Sequence, residues 1–230
     1  MTSTATLPDI GRRERAKEER RQRIVRAVRD LIRETGDTNP SMRLIASRAG
    51  VSIATAYNLF GSKQAVVLAV LEDRQNFIER FASLKARNPL DLVFAAHELA
   101  VSYYTQDPEF YRPLWRALLD TSGKSDASIV PPERQAETRA AWRTILLQAQ
   151  NEGYLDQAES IEWLERSLTH SATGAMLSWA TEALPTDALL PSAGLGYAYI
   201  LNTTATGKGR PTLKQRIETY KKSLPQTERK

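Results

Sequence analysis

The stretch "RLIASRAGVSIATAYNLFGSK", Arg43–Lys63, sets two short apolar patterns either side of Gly50 and ends in Tyr57, Phe60 and Lys63. Two stubby helices pinched together at a glycine make a helix-turn-helix, whose second helix lies in the major groove of DNA. Gly50 supplies the left-handed backbone that such a turn needs, Val51 plugs between the helices, and Ser52 caps the second one. Ser41 caps the first, turning Met42, Ile45, Ala46 and Ala49 inward. The second helix carries small and hydroxylated residues where a core prefers bulk. Ala54 and Thr55 permit close approach to base edges, and the Thr55 hydroxyl and Asn58 amide suit base reading or phosphate holding. Tyr57 can reach a phosphate with its hydroxyl. Lys63 adds a charge beside the N-terminus of the next helix, where backbone N–H groups already favour anions. The candidate DNA contacts are therefore Ser41, Arg43, Ser52, Ile53, Ala54, Thr55, Tyr57, Asn58 and Lys63. The plainer alternative is a helical hairpin with no ligand, since short Gly-turn hairpins are common in all-α folds.

Outward from this stretch almost everything reads as helix. Ile24, Val28, Leu31 and Ile32 form one stripe on a helix from about 13 to 35, stopped by Gly36. Ser62 opens a long fourth helix whose stripe includes Val66, Val70, Phe77 and Phe81, and "ARNP" at 86–89 closes it. Further helices are expected near 91–105, 109–121, 132–152, 159–184 and 187–205, separated by "QDPE", "SGKSDASIVPPE", "NEGYLDQAES" and "LPTD". The final "GKGRPTLKQRIETYKKSLPQTERK" reads as a loop, a short basic helix and a frayed end. The expected fold class is all-α. Its parts are an arm with a helix-turn-helix over 1–64, a body over 65–206 entered through a linking helix at 62–85, and a basic tail over 207–230.

Composition narrows the function. The 230 residues contain no cysteine, which excludes disulfide scaffolds and thiolate metal sites and fits a cytoplasmic protein. The N-terminus "MTSTATLPDIGRRER" lacks the apolar run of a signal peptide. Residues 188–207 are uncharged, but Pro191, Gly194, Gly196 and Asn202 suit a buried or subunit-contact helix better than a membrane span. The net charge of +5 is uneven. Residues 1–64 hold 13 Lys/Arg against 7 Asp/Glu, residues 207–230 hold 8 against 2, and the stretch between holds 11 against 18. Basic ends on an acidic body point to a polyanion partner.

The Arg43–Lys63 stretch resembles the DNA-binding domain of the TetR family of bacterial transcriptional regulators. The family pattern runs approximately "IA-x-x-AGVS-x-x-T-L-Y-x-H-F-x-x-K-E-x-L", and here it stands as "IASRAGVSIATAYNLFGSKQAV". Ile45, Ala46, Ala49, Gly50, Val51, Ser52, Thr55, Tyr57, Phe60 and Lys63 match. The resemblance implies a homodimer with a three-helix DNA-binding head, a linking fourth helix and a divergent helical body that binds a small molecule and dimerises. Three positions depart. Ala56 replaces the usual Leu, so the head loses core volume unless Leu44 or Leu59 moves in. Leu59 stands where His is frequent, and Gln64 replaces Glu.

Catalysis is not expected. His97 and His170 are the only histidines, "GLG" at 194–196 has no strand before it, and "TGKGRPT" at 206–212 lacks the spacing of a P-loop. No cofactor and no metal are expected. In the body, Phe94, His97, Tyr103, Tyr104, Phe110, Tyr111, Arg112, Trp115, Arg116 and Trp142 are the candidates to line a mostly apolar pocket with a few polar anchors. Filling a core is the simpler reading of each aromatic. Arg112 and Arg116, four apart on one face, suit an anion such as a carboxylate or an acyl-thioester phosphate, or else a salt bridge to Asp120 or Glu109. The helices near 159–184 and 187–205, rich in Ala, Gly and Ser, suit a four-helix homodimer interface; an intra-chain hairpin is the plainer reading, and the two are not exclusive.

The expected partners are double-stranded DNA with an inverted-repeat operator, a small-molecule effector, and a second copy of the chain, with no membrane. Three functions stay open: a ligand-responsive repressor, a helix-turn-helix DNA binder without an effector, and a protein-interaction module. Arg12, Arg13 and Arg15 read as an arm beside the helix-turn-helix, able to enter the minor groove or lie along phosphates. "GKGRP" at 207–211 lacks the flanking Arg of a minor-groove hook.

Overall fold

The computed structural model describes residues 8–72, 75–117 and 132–224. Among these, every regular element is a helix apart from one isolated bridge between Leu155 and Ala205, so the fold is all-α. The chain divides into two compact units, residues 1–75 and 76–230, called here the head and the body.

The head contains α1 (Pro8–Thr35), α2 (Met42–Ala49), α3 (Ile53–Phe60) and α4 (Lys63–Glu72). At eight residues each, α2 and α3 are too short to persist alone in water, so their ends matter. Ser41 Oγ accepts the Leu44 N–H at 3.2 Å, Ser52 Oγ accepts that of Thr55 at 3.0 Å, and Ser62 Oγ accepts that of Ala65 at 3.1 Å. Gly50, at φ 63° and ψ 40°, ends α2. There the Val51 N–H reaches the Ala46 carbonyl at 3.0 Å and the Gly50 N–H reaches that of Ser47 at 3.2 Å, the paired bonds of a Schellman turn. The stripe of Ile24, Val28, Leu31 and Ile32 is buried together with Met42, Ile45 and Ala46 of α2, Ala56 of α3 and Val66 and Val70 of α4.

Two expectations about the head need correction. Arg12, Arg13 and Arg15 are not an arm ahead of the first helix, because α1 already begins at Pro8. Arginine and glutamate are good helix formers. The Arg15 Nε–H donates to the Gly11 carbonyl at 2.9 Å, and Lys17 pairs with Glu14 at 3.9 Å one turn back. Nor does Leu44 make up the volume that Ala56 lacks, since Leu44 is 45% exposed while Ala56 is fully buried. Leu59 is half-buried, and its carbonyl accepts from Arg21 Nη1 at 3.3 Å.

The expected linking helix is described as α4 and α5 (Gln75–Ala82); residues 73 and 74 and the side chains of Gln64 and Phe77 lie outside the described residues. The body continues with α6 (Pro89–Thr105), α7 (Pro108–Ala117), α8 (Pro132–Asn151), α9 (Ile161–Ala180), α10 (Thr186–Thr203) and α11 (Arg210–Ser223). Residues 118–121, expected to prolong α7, lie outside the described residues, as do 225–230, where the frayed end was expected.

The basic tail is not merely a solvated helix. Leu213, Ile217 and Tyr220 of α11 fall on one face and join Leu90, Phe94, Leu146, Leu164, Tyr197 and Leu201 in the body's core. Glycine allows the close approach: a Cβ on Gly194 would come within 2.6 Å of the Tyr220 ring, and one on Gly209 within 2.2 Å of the Tyr154 carbonyl oxygen. Arg216 bridges Asp91 at 2.9 Å and Glu98 at 3.0 Å on α6. No helix among the described residues is long and apolar enough to cross a membrane.

Candidate nucleic-acid interface

The Schellman turn sets the direction of α3, and the burial of Ala56 sets its rotation. The rest of that short helix is left largely to solvent. Ile53 is 40% exposed, Tyr57 is 46% exposed, and Ala54 and Asn58 are exposed beside them. Isoleucine and tyrosine so exposed on a short helix offer apolar and hydroxyl surface to a partner. The remaining candidates divide by task. Ser41 and Ser52 are committed as helix caps, and the Thr55 hydroxyl lies 2.8 Å from that of Ser52. Arg43 is exposed on α2, and Lys63 is half-buried at the first position of α4.

Two arginines of the head hold the fold. Arg48 forms a bidentate pair with Glu34 across α1 and α2, at 2.7 and 2.5 Å. The hydrogen bond from Arg48 holds the Glu34 carboxyl below its usual range. Arg21 stacks 4.4 Å over the Phe60 ring besides capping the Leu59 carbonyl, and so fastens the C-terminal end of α3 to α1. Its role was not visible in the sequence, because no local spacing links residues 38 apart.

In the body, the ten candidates separate into several groups. Phe94 is fully buried against Tyr220, with ring centroids 6.0 Å apart. His97 and Trp142 meet across Tyr197, at 4.6 and 5.9 Å. Tyr104, Phe110, Tyr111 and Trp115 form an edge-to-face group on α6 and α7. Tyr103 receives a hydrogen bond from Arg80 at 3.4 Å. Arg112 and Arg116 reach the corner between α9 and α10. Arg116 pairs there with Glu182, a different element from Glu109; Asp120 lies outside the described residues. Burial pushes the His97 ring down to about 4, against the smaller effect of its hydrogen bond to the Leu190 carbonyl, and burial pushes the Tyr197 hydroxyl up. Tyr197 was missed because its uncharged helix read as an interface.

The α3 face, its glycine turn and its serine caps reproduce a known arrangement. Residues 24–70 match the family described as bacterial regulatory proteins, tetR family. Over those residues the head is similar to the DNA-binding domain of the TetR family. Over 128 residues, 55% of this chain, the sequence is 27% identical to the HTH-type transcriptional repressor KstR of Rhodococcus jostii (strain RHA1). That match spans 60% of the relative's length, less than two thirds. Among solved structures, TylP, a TetR regulator from Streptomyces fradiae, superposes with a TM-score of 0.63 at 20% identity, over 90% of this chain and 99% of that one. The regulator FadR from Bacillus subtilis, solved in complex with stearoyl-CoA, gives 0.65 at 16% identity, over 78% and 97%. At such identities the likeness establishes the fold.

In the body, α9 and α10 carry large side chains and a glycine that face outward. Trp163 on α9 is 61% exposed and Tyr199 on α10 is 47% exposed. Gly174 sits exposed in the middle of α9, where an added Cβ would meet nothing within 4 Å. Glycine in a helix interior costs about 1 kcal/mol relative to alanine.

Proposed function

We propose that this protein is a transcriptional repressor that binds an inverted-repeat operator as a homodimer and leaves it when a small, largely apolar effector occupies the body. The observation that carries the reading is α3, where Ile53, Ala54, Tyr57 and Asn58 are exposed while Ala56 is buried. The KstR name and the stearoyl-CoA complex of FadR support repression and an effector. Gly174 supports the dimer, since a helix of a second copy packed closely over α9 gives that glycine a purpose. The linking segment 62–85 is the route by which an effector acts on the heads, provided it favours one head spacing over another.

A gel-shift titration on the DNA upstream of the protein's own gene tests the reading. Saturable binding that outcompetes random DNA is expected, protecting two half-sites about one helical turn apart, ~34–36 Å, or wider. Equal affinity for random DNA, or a free protein that sediments as a monomer at micromolar concentration, overturns it.

A further inference from the structure

A buried polar atom without a hydrogen bond is rare and costly. Two such atoms in the body, His97 Nε2 and Arg112 Nε, belong to side chains that address one helix. The His97 ring donates to the Leu190 carbonyl, and Arg112 Nη2 donates to Thr186 Oγ1 at 3.0 Å. Thr186 and Leu190 are four residues apart on α10, so both side chains meet the same helix about one turn, ~6 Å, apart along its axis.

Their chemistry is complementary. With its other nitrogen engaged as the donor, the neutral His97 ring presents Nε2 as a bare acceptor. No carboxylate among the described residues pairs with the Arg112 guanidinium. Arg116 differs, because its Nε–H donates to the Ala180 carbonyl at 2.6 Å and its Nη2 pairs with Glu182. The Arg112 guanidinium lies 5.3 Å over the Trp179 ring, whose Nε1–H also donates to Thr186 Oγ1, at 3.1 Å. Accepting two bonds, the Thr186 hydroxyl still has its own proton to donate.

We propose that Arg112 and His97 form a two-point anchor for an amphipathic hydroxycarboxylic acid. Its carboxylate sits on the Arg112 guanidinium with help from the Thr186 hydroxyl, and its hydroxyl donates to His97 Nε2. A single half-buried guanidinium matches a monoanion; a phosphate dianion demands more donors than this corner holds. The aromatic rings of Tyr197 and Trp142 lie beside His97 and suit an apolar part of the acid next to its hydroxyl. The proposal rests on the reading of the body as effector-binding and names the effector's chemistry.

Calorimetry on the full-length protein with 3-(4-hydroxyphenyl)propanoate, 3-phenylpropanoate and the methyl ester of the former tests it. The hydroxy acid is expected to bind about tenfold tighter than the deoxy acid and at least as much tighter than the ester. Arg112→Met should bring acid and ester together, and His97→Phe should bring hydroxy and deoxy acids together. Equal binding of acid and ester by the unaltered protein, either preference surviving its variant, or no binding of the three at millimolar concentration overturns the anchor. The comparison within the unaltered protein decides even where a variant fails to fold. DNA release by a neutral apolar compound alone sinks the anchor and leaves the repressor standing. Binding of the hydroxy acid by a protein that ignores DNA does the reverse.

Discussion

In the head, three consecutive helices start on serines whose hydroxyls accept a backbone N–H, Ser41, Ser52 and Ser62. In the body, α10 starts after Pro185 and α11 after Gly209, with no side-chain cap at either. Caps are not foreign to the body, since Asn88 and Ser160 close α6 and α9. The difference lies in what each helix has besides its ends. An eight-residue helix buries few side chains and depends on every orphan N–H being met. The 18 residues of α10 and the 14 of α11 bury a long apolar face against each other instead. Local chemistry holds the head, and distant packing holds the body.

The largest effect that can break this contrast is a cavity in α11. Leu213 is fully buried in the body's core, so Leu213→Ala should destabilise the body by about 2–5 kcal/mol. All four tryptophans, Trp115, Trp142, Trp163 and Trp179, lie in the body, so tryptophan fluorescence during denaturant unfolding follows that unit alone. An unshifted midpoint would mean that α11 is an appendage. The second effect is acid. The folded His97 ring titrates at about 4 against 6.5 in the unfolded chain, so between those values only the unfolded chain takes up the proton. Stability is intact above pH 6.5 and falls as pH drops towards 4, by about 3 kcal/mol from this group. His97→Phe should flatten that decline in the tryptophan transition; a decline of unchanged steepness would remove His97 as its cause.

The same contrast explains what could be read in advance. Gly50, Ser52 and Lys63 stand within 14 positions, and their turn, cap and charge are properties of neighbouring residues, so the helix-turn-helix was legible. Arg216 reaching Asp91 and Glu98, or Leu213 entering the core beside Leu90, joins residues more than a hundred positions apart. No period or spacing carries that information, and the tail therefore read as basic and frayed. The start of α1 was misplaced for a different reason. An apolar stripe is what marks a helix in a sequence, and the first turns of α1 carry none.

A third effect, smaller than the first two, belongs to the head. Gly50 holds φ 63°, and a Cβ there would meet only Arg23 Nη1 at 3.8 Å. The cost of Gly50→Ala is then backbone strain alone, about 1–2 kcal/mol. Far-ultraviolet dichroism should show an earlier-melting helical fraction while the tryptophan transition stays in place. A shift of the tryptophan transition instead would show that the two units unfold as one.

The smallest effect separates the two basic ends. Residues 1–64 and 207–230 carry the same net charge of +6, as counted from 13 against 7 and from 8 against 2. Their cations are placed differently. Lys63 stands at the N-terminus of α4, beside α3. Lys208 donates to the Glu152 carbonyl at 2.8 Å and lies 4.2 Å over the Tyr154 ring, and Arg216 is held by two carboxylates. Counterion release depends on cations that reach phosphate, and net charge alone is not enough. Lys63→Ala should therefore reduce the slope of log affinity against log salt by about 0.9, and weaken operator and random DNA by the same factor. Lys208→Ala should leave the slope unchanged. A slope that moves with Lys208 and ignores Lys63 would assign the electrostatic grip to the tail.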